Sequence, residues 1–207
     1  MGLRVVGGML DRYLPGKPWV FGFSLLPLVF LVVGAVLDRL GANPAEALIR
    51  TTGDWALRFL CLTLLVTPLR VILKLPRLAS YRRMLGLFCF FYALLHLLCY
   101  LALDMGLDVP AVLKDIAKRP FILVGVSAFV ILLALALTSW NGAMRWLGGR
   151  RWQTLHKGVY LVAPLAVLHF FWMRAGKNDQ AEVGFYALVL GGLLVWRVFR
   201  NMERFRA

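Results

Sequence analysis

The chain contains three histidines, His96, His156 and His169. All three lie in or at the edge of strongly apolar stretches, where an ionisable side chain is costly and normally faces the interior to perform a function. Histidine binds transition metals through a neutral ring nitrogen. Two histidines at one depth on parallel helices can clamp a planar iron porphyrin from both sides. That clamp leaves no coordination position for substrate, which suits electron transfer with a potential tuned by ligands and their surroundings.

Depth along the helices selects the pair. His96 lies fourteen residues beyond Arg82, a separation that returns to nearly the same helix face about 21 Å further on. His169 follows His156 by thirteen residues, about 20 Å along an ideal helix. The two spans concerned run in the same direction, since one span separates them. His96 and His169 are therefore expected at one outer level, and His156 at the inner level, where the third span offers Arg82. One difficulty attends the fifth span: on an ideal helix His156 and His169 stand roughly 140° apart. Pro164 lies between them, so either the helix kinks or widens there, or His156 sits in the first turn and points elsewhere. Phe88, Phe91, Tyr92, Phe170 and Trp172 either line such a site or serve as packing and lipid-facing residues.

The elements that must carry these residues follow from composition. In 207 residues, 61% are hydrophobic and 16% charged, and the mean hydropathy is +0.76; a water-soluble protein has nowhere to put that apolar surplus. Apolar runs at 19–37, 55–75, 84–103, 121–140, 155–173 and 183–199 each approach the roughly 20 residues needed to cross the hydrocarbon layer. The expectation is an all-α integral membrane protein, a six-transmembrane-helix bundle forming a single domain over residues 1–207. The first run has the length of a span rather than of a signal-peptide core, so no cleavable leader is expected. No internal repeat is evident, and Gly and Pro punctuate the loops.

Charge orients the bundle. Lys and Arg accumulate on the cytoplasmic side, and four groups carry the whole net charge of +14: Arg4, Asp11, Arg12 and Lys17; Arg70 to Arg83; Arg145 to Lys157; and Arg197 to Arg206. The segments Asp38 to Arg58, Asp104 to Arg119 and Arg174 to Glu182 each balance to zero. Both termini are expected in the cytoplasm. A pI near 10.6 would otherwise point to nucleic acid, but the basic residues fall where a topology signal puts them, so no nucleic-acid partner is expected.

Other chemistries fit less well. Cys61, Cys89 and Cys99 form no C-x-x-C pair and no C-x-x-C-H attachment for covalent haem. The spacing of Cys89, His96 and Cys99 admits a metal, but buried free cysteine ordinarily behaves as a small apolar residue. Ser24, Ser127 and Ser139 have no histidine nearby in sequence to make a hydrolase. A proton- or ion-coupled membrane transporter would place carboxylates through several spans or break a helix at the midplane; Gly22, Pro27 and Gly34 interrupt the first span without one. A structural anchor with incidental histidines is the third class.

Several segments carry a resemblance. Arg82-Arg83-Met84-Leu85-Gly86-Leu87, Tyr92-Ala93-Leu94-Leu95-His96-Leu97, Leu147-Gly148, and Arg151-Trp152-Gln153-Thr154-Leu155-His156 with Val159-Tyr160 and His169 resemble the ferric-reductase-like transmembrane family. The nearer likeness is to haem-binding membrane subunits of bacterial periplasmic methionine-sulfoxide reductase systems, and it runs from about Asn43 to the end of the sixth span.

The resemblance implies a haem b protein of the bacterial inner membrane, associated with FMN and fed by the quinone pool or a cytoplasmic flavin reductase. It implies electron delivery to a periplasmic MsrP-like molybdopterin reductase that repairs oxidised methionine in proteins. His96, His156 and His169 match the family's haem-related histidines. The wider family carries four histidines for two haems, and Arg82 stands at the fourth position, so the haem count is one or two. Arg82 then either pairs with a haem propionate or flavin phosphate or marks the cytoplasmic boundary. No glycine-rich nucleotide fingerprint accompanies the spans, so a redox subunit without a catalytic site of its own is expected. The three neutral outer segments are the expected docking surface for the periplasmic acceptor.

Overall fold

A computed structural model describes residue 11, residues 13–175 and residues 180–206. Arg4, Arg12, Lys177 and Asp179, which enter the charge pattern, lie outside the described residues, as do the side chains of Arg204 and Arg206. Among the described residues all regular structure is helical. Six stretches are long and apolar enough to cross a membrane: Lys17–Val36, Pro44–Ile72, Arg82–Asp104, Pro120–Leu137, Gly149–Arg174 and Ala181–Glu203. The chain is an all-α, multi-pass membrane protein. Its residues group into two compact units, the first ending at Asp108 and the second beginning at Val109.

The first unit holds α1 (Lys17–Val36), α2 (Pro44–Ile72), a 3-10 turn (Pro76–Ser80) and α3 (Arg82–Cys99), which runs on as a π-helical turn over Tyr100–Asp104. Helix α2 departs from expectation: it begins at Pro44, eleven residues before its apolar run. Asn43 caps it by accepting the Glu46 amide at 3.1 Å, and Pro44 occupies the first turn, a standard start signal. At about 1.5 Å per residue α2 is about 43 Å long, more than the roughly 30 Å hydrocarbon layer. The expected outer loop of residues 38–54 is thus largely helix, and Glu46 and Arg50 pair along it at 2.5 Å. Leu57, Leu60 and Leu64 of α2 are buried. Phe59 stacks on Tyr92 of α3 at 5.3 Å and on Phe88 at 5.5 Å.

Tyr92 is fully buried, with 0% of its surface exposed. Its hydroxyl donates to the Ser24 carbonyl at 2.8 Å and accepts the Leu28 amide at 3.2 Å. Those two groups would otherwise bond each other along α1, so the phenol is spliced into the helix ladder beside Pro27, where the ladder already lacks an amide. Below, Tyr81 donates to the Pro15 carbonyl.

The second unit holds α4 (Val109–Lys118), α5 (Pro120–Leu137), α6 (Asn141–Leu147), α7 (Gly149–His156), α8 (Val159–Arg174) and α9 (Ala181–Arg206). The expected outer loop of residues 104–119 contains α4, whose Asp115 pairs with Arg119 at 2.5 Å. Gly148, at φ +74°, separates α6 from α7. The fifth span is α7 and α8 with a break at Lys157–Gly158, so the interruption is not at Pro164, which lies inside a continuous α8. Amide bonds three residues back, such as Gly158 to the Leu155 carbonyl at 2.9 Å and Leu161 to Gly158 at 2.9 Å, tighten the chain there. Gly158 permits it, because a Cβ would meet the Leu155 carbonyl at 3.0 Å and Ile131 of α5 at 3.2 Å. Arg174 at the end of α8 pairs with Glu182 at the start of α9 at 2.9 Å. Arg197, 9% exposed, donates to the Leu193 carbonyl and lies over the Tyr160 ring at 5.3 Å.

Candidate haem-ligand histidines

In the first unit, His96 sits near the C-terminal end of α3, four residues before the π-helical turn. Its Nδ1 donates to the Ile49 carbonyl on α2 at 2.7 Å. A carbonyl oxygen only accepts, so Nδ1 carries the proton and Nε2 carries the lone pair of the neutral ring. The same carbonyl lies 3.0 Å from Thr52 Oγ1. Gly53 faces the ring, and a Cβ there would lie 3.0 Å from Nδ1.

In the second unit, His169 lies on α8 and repeats the arrangement. Its Nδ1 donates to the Phe121 carbonyl at the start of α5 at 2.6 Å. Gly125 faces the ring, with a Cβ position 2.7 Å from Nδ1 and 2.8 Å from Cε1. The donor and acceptor are 47 residues apart in the first unit and 48 in the second. The sequence therefore holds an internal correspondence where none was expected. It rests on one carbonyl, one glycine and one histidine per unit, too few residues to stand out in the sequence.

His156 differs. Its Nδ1 donates to the Trp152 carbonyl at 3.0 Å, one turn back in its own helix, and its Nε2 lies 3.4 Å from Ser139 Oγ. The ring stacks on the Trp152 indole at 3.9 Å, and that indole donates to the Thr138 carbonyl at 2.8 Å. The azimuth difficulty is met by the break: about four residues turning near 120° rather than 100° recover much of the roughly 140° offset. Both rings then address the same neighbour, His169 at the start of α5 and His156 at Ser139 just beyond its end. Ser139 and Trp152 were not singled out as partners of a histidine.

Arg82 is the first residue of α3 and half-buried; among the described residues it forms no ion pair. Of the candidate lining residues, Phe88, Tyr92 and Phe170 are buried, Phe91 is half-buried and Trp172 is exposed. Tyr92 is committed to α1 and to the Phe59 stack. Phe170 packs edge-on against Tyr186 at 6.0 Å.

The donor chemistry fits an axial imidazole. A histidine ligand characteristically gives its second ring N–H to a carbonyl or carboxylate, which fixes tautomer and orientation, and His96 and His169 both do so. Among the described residues no three His, Cys, Asp or Glu side chains converge as a metal centre.

The ferric reductase like transmembrane component family matches residues 52–167, a span that includes Gly53, His96, Gly125 and His156 and stops two residues short of His169. The chain is 59% identical over 190 residues to a protein-methionine-sulfoxide reductase heme-binding subunit MsrQ of Polaromonas naphthalenivorans, covering 92% of this chain and 87% of that one. It is 52% identical over 205 residues to the protein of the same name from Ralstonia nicotianae, covering 95% and 94%. The Caulobacter vibrioides protein of that name is 42% identical, covering 92% and 89%. No solved structure matches the chain significantly.

Proposed function

The chain belongs to the ferric-reductase-like transmembrane family, and within it to the heme-binding MsrQ subunits; from that premise we propose that it is a haem b electron-transfer subunit of the bacterial inner membrane. It takes electrons from the quinone pool or a cytoplasmic flavin reductase and delivers them to a periplasmic MsrP-like molybdopterin reductase for repair of methionine sulfoxide. FMN is the second associated cofactor. Residues 1–207 act as a single redox domain with both termini in the cytoplasm.

The observation that carries this reading is the matched hydrogen bonding of His96 and His169, each with Nδ1 held by a main-chain carbonyl on an adjacent helix. Haem, when bound, supplies a one-electron iron couple. His96 and His169 are the residues that would hold it, each through Nε2. His156 is the candidate ligand of a second site, and Arg82 a candidate fixed cation for a propionate or phosphate.

The test is an optical spectrum of the detergent-purified protein, oxidised and dithionite-reduced, with iron and flavin quantified on the same sample. Sharp low-spin b-type bands that vanish in His96→Ala and His169→Ala are expected. A colourless protein from haem-replete cells would overturn the reading.

A further inference from the structure

Resting on the reading of His96 and His169 as haem ligands, we propose that Gly53 and Gly125 are positioning residues, each clearing the space through which the imidazole reaches its carbonyl and so setting the donor strength of Nε2. In an α-helix the carbonyl of residue i points toward the amide of residue i+4, and it keeps a second lone pair for an outside donor. A ring arriving from a neighbouring helix to use that lone pair lies directly against residue i+4. Gly53 is that residue for Ile49, and Gly125 is that residue for Phe121.

What sets these two glycines apart is the neighbour: Gly34, Gly142 and Gly158 are also tightly packed, against Leu40, Trp140 and Leu155, but only Gly53 and Gly125 among the described glycines meet a histidine ring. A Cβ at Gly53 would stand 3.0 Å from His96 Nδ1 and 3.2 Å from Cε1, and one at Gly125 would stand 2.7 Å and 2.8 Å from the same atoms of His169. A Cβ at Gly86, also inside a span, would meet only Thr63 Cγ2 at an ordinary 3.6 Å, and one at Gly191 would meet nothing within 4 Å. No described glycine faces the ring of His156, whose Nδ1 bonds within its own helix. Glycine is a poor helix former, so its presence mid-helix at these two places answers to the ring rather than to the helix. Donation from Nδ1–H to a carbonyl makes Nε2 more basic and favours the oxidised metal. Pushing the ring away from that carbonyl removes the effect and moves the midpoint potential upward.

The experiment compares Gly53→Ala, Gly125→Ala and the control Gly86→Ala in the full-length, haem-loaded protein. Haem content, midpoint potential by redox titration and low-spin signature by electron paramagnetic resonance are the readouts. Both ring-facing variants are expected to raise the potential and to weaken haem binding by about 10–100-fold, the usual loss when an outer partner of a metal ligand is disturbed. The effect is larger for Gly125→Ala, where the approach is tighter, and Gly86→Ala matches the parent. Unchanged potential and occupancy in both variants overturn the proposal while leaving the ligand assignment intact. A parent protein without haem overturns the assignment instead.

Should a variant fold poorly, a double-mutant cycle on haem-free protein replaces the comparison. Gly125→Ala is introduced into the His169→Ala background, and Gly53→Ala into His96→Ala, with thermal unfolding as the readout. With the ring gone, each alanine is expected to be tolerated or stabilising. Equal damage with and without the imidazole overturns the proposal.

Discussion

The imidazole of His156 stacks on the indole of Trp152 with ring centroids 3.9 Å apart, and its Nδ1 donates to the carbonyl of that same residue at 3.0 Å. It is held by its own helical turn, with Ser139 Oγ at 3.4 Å from Nε2, whereas His96 and His169 are held by neighbouring helices. The Ser139 hydroxyl proton is directed to the Leu135 carbonyl at 2.7 Å, so Nε2 of His156 faces an oxygen already engaged as a donor elsewhere. His156→Ala is therefore expected to keep the low-spin bands of the haem assigned to His96 and His169, which His96→Ala and His169→Ala lose, and to remove at most the bands of a second site. Reduced-minus-oxidised spectra of the three variants, normalised to protein, check this; equal loss in all three would put His156 on the same footing as the other two.

Tyr92 makes a separate prediction about the first span. Its hydroxyl bridges the Ser24 carbonyl and the Leu28 amide, and few other contacts hold α1, many of whose large apolar residues face outward. Tyr92→Phe keeps the ring stacked on Phe59 and removes only the bridge. A net hydrogen bond is worth about 1 kcal/mol, so a loss of about that size in unfolding stability is expected, with faster hydrogen exchange confined to α1 and unchanged haem bands. Altered bands would mean that the phenol reaches beyond packing.

The histidines were legible because hydrophobic composition makes any ionisable residue in a span conspicuous. Their partners were not. Ile49 and Gly53 lie in a stretch diluted by Glu46, Arg50 and Asp54, which reads as loop by hydropathy although Asn43 and Pro44 announce a helix. A cap reading rather than an apolar window would have found it. The acceptors at Ile49 and Phe121 are main-chain carbonyls, which leave no side-chain signature, and Gly125 sits in an apolar run where a glycine carries no label. In the fifth span a break at Pro164, which lacks an amide, was one of two expectations, a His156 pointing elsewhere from the first turn being the other. Close packing of Gly158 on Ile131 put the break at Lys157–Gly158 instead.

Asn43 links that missed helix start to the ligand geometry. Its side chain accepts the Glu46 amide at 3.1 Å and Glu46 pairs with Arg50, so the first turns of α2 that carry Ile49 depend on one cap. Asn43→Ala is expected to cost about 1 kcal/mol of stability. Because fraying from Pro44 loosens the Ile49 carbonyl, the His96 side alone should respond, as a small rise in midpoint potential without loss of haem. Asn43→Ser, which restores a capping oxygen, should return the parent value; a rise that persists in the serine variant would detach the cap from the ligand.

The three segments expected to meet the periplasmic acceptor each sum to zero charge, and part of that charge is paired directly. Glu46 pairs with Arg50 on α2, Asp115 with Arg119 at α4, and Arg174 with Glu182 between α8 and α9, at 2.5, 2.5 and 2.9 Å. Electrostatic steering raises association rates by about 10–10³-fold and collapses with salt. Paired charges within a few ångströms present little field at the encounter distance. Transfer to the acceptor is therefore expected to change by less than about tenfold as ionic strength rises from low to well above physiological values, measured as haem reoxidation by purified acceptor in stopped flow. Glu46→Lys, which breaks one pair and leaves Arg50 uncompensated, should make the rate newly salt-dependent. A steep salt dependence in the parent would locate the docking surface elsewhere.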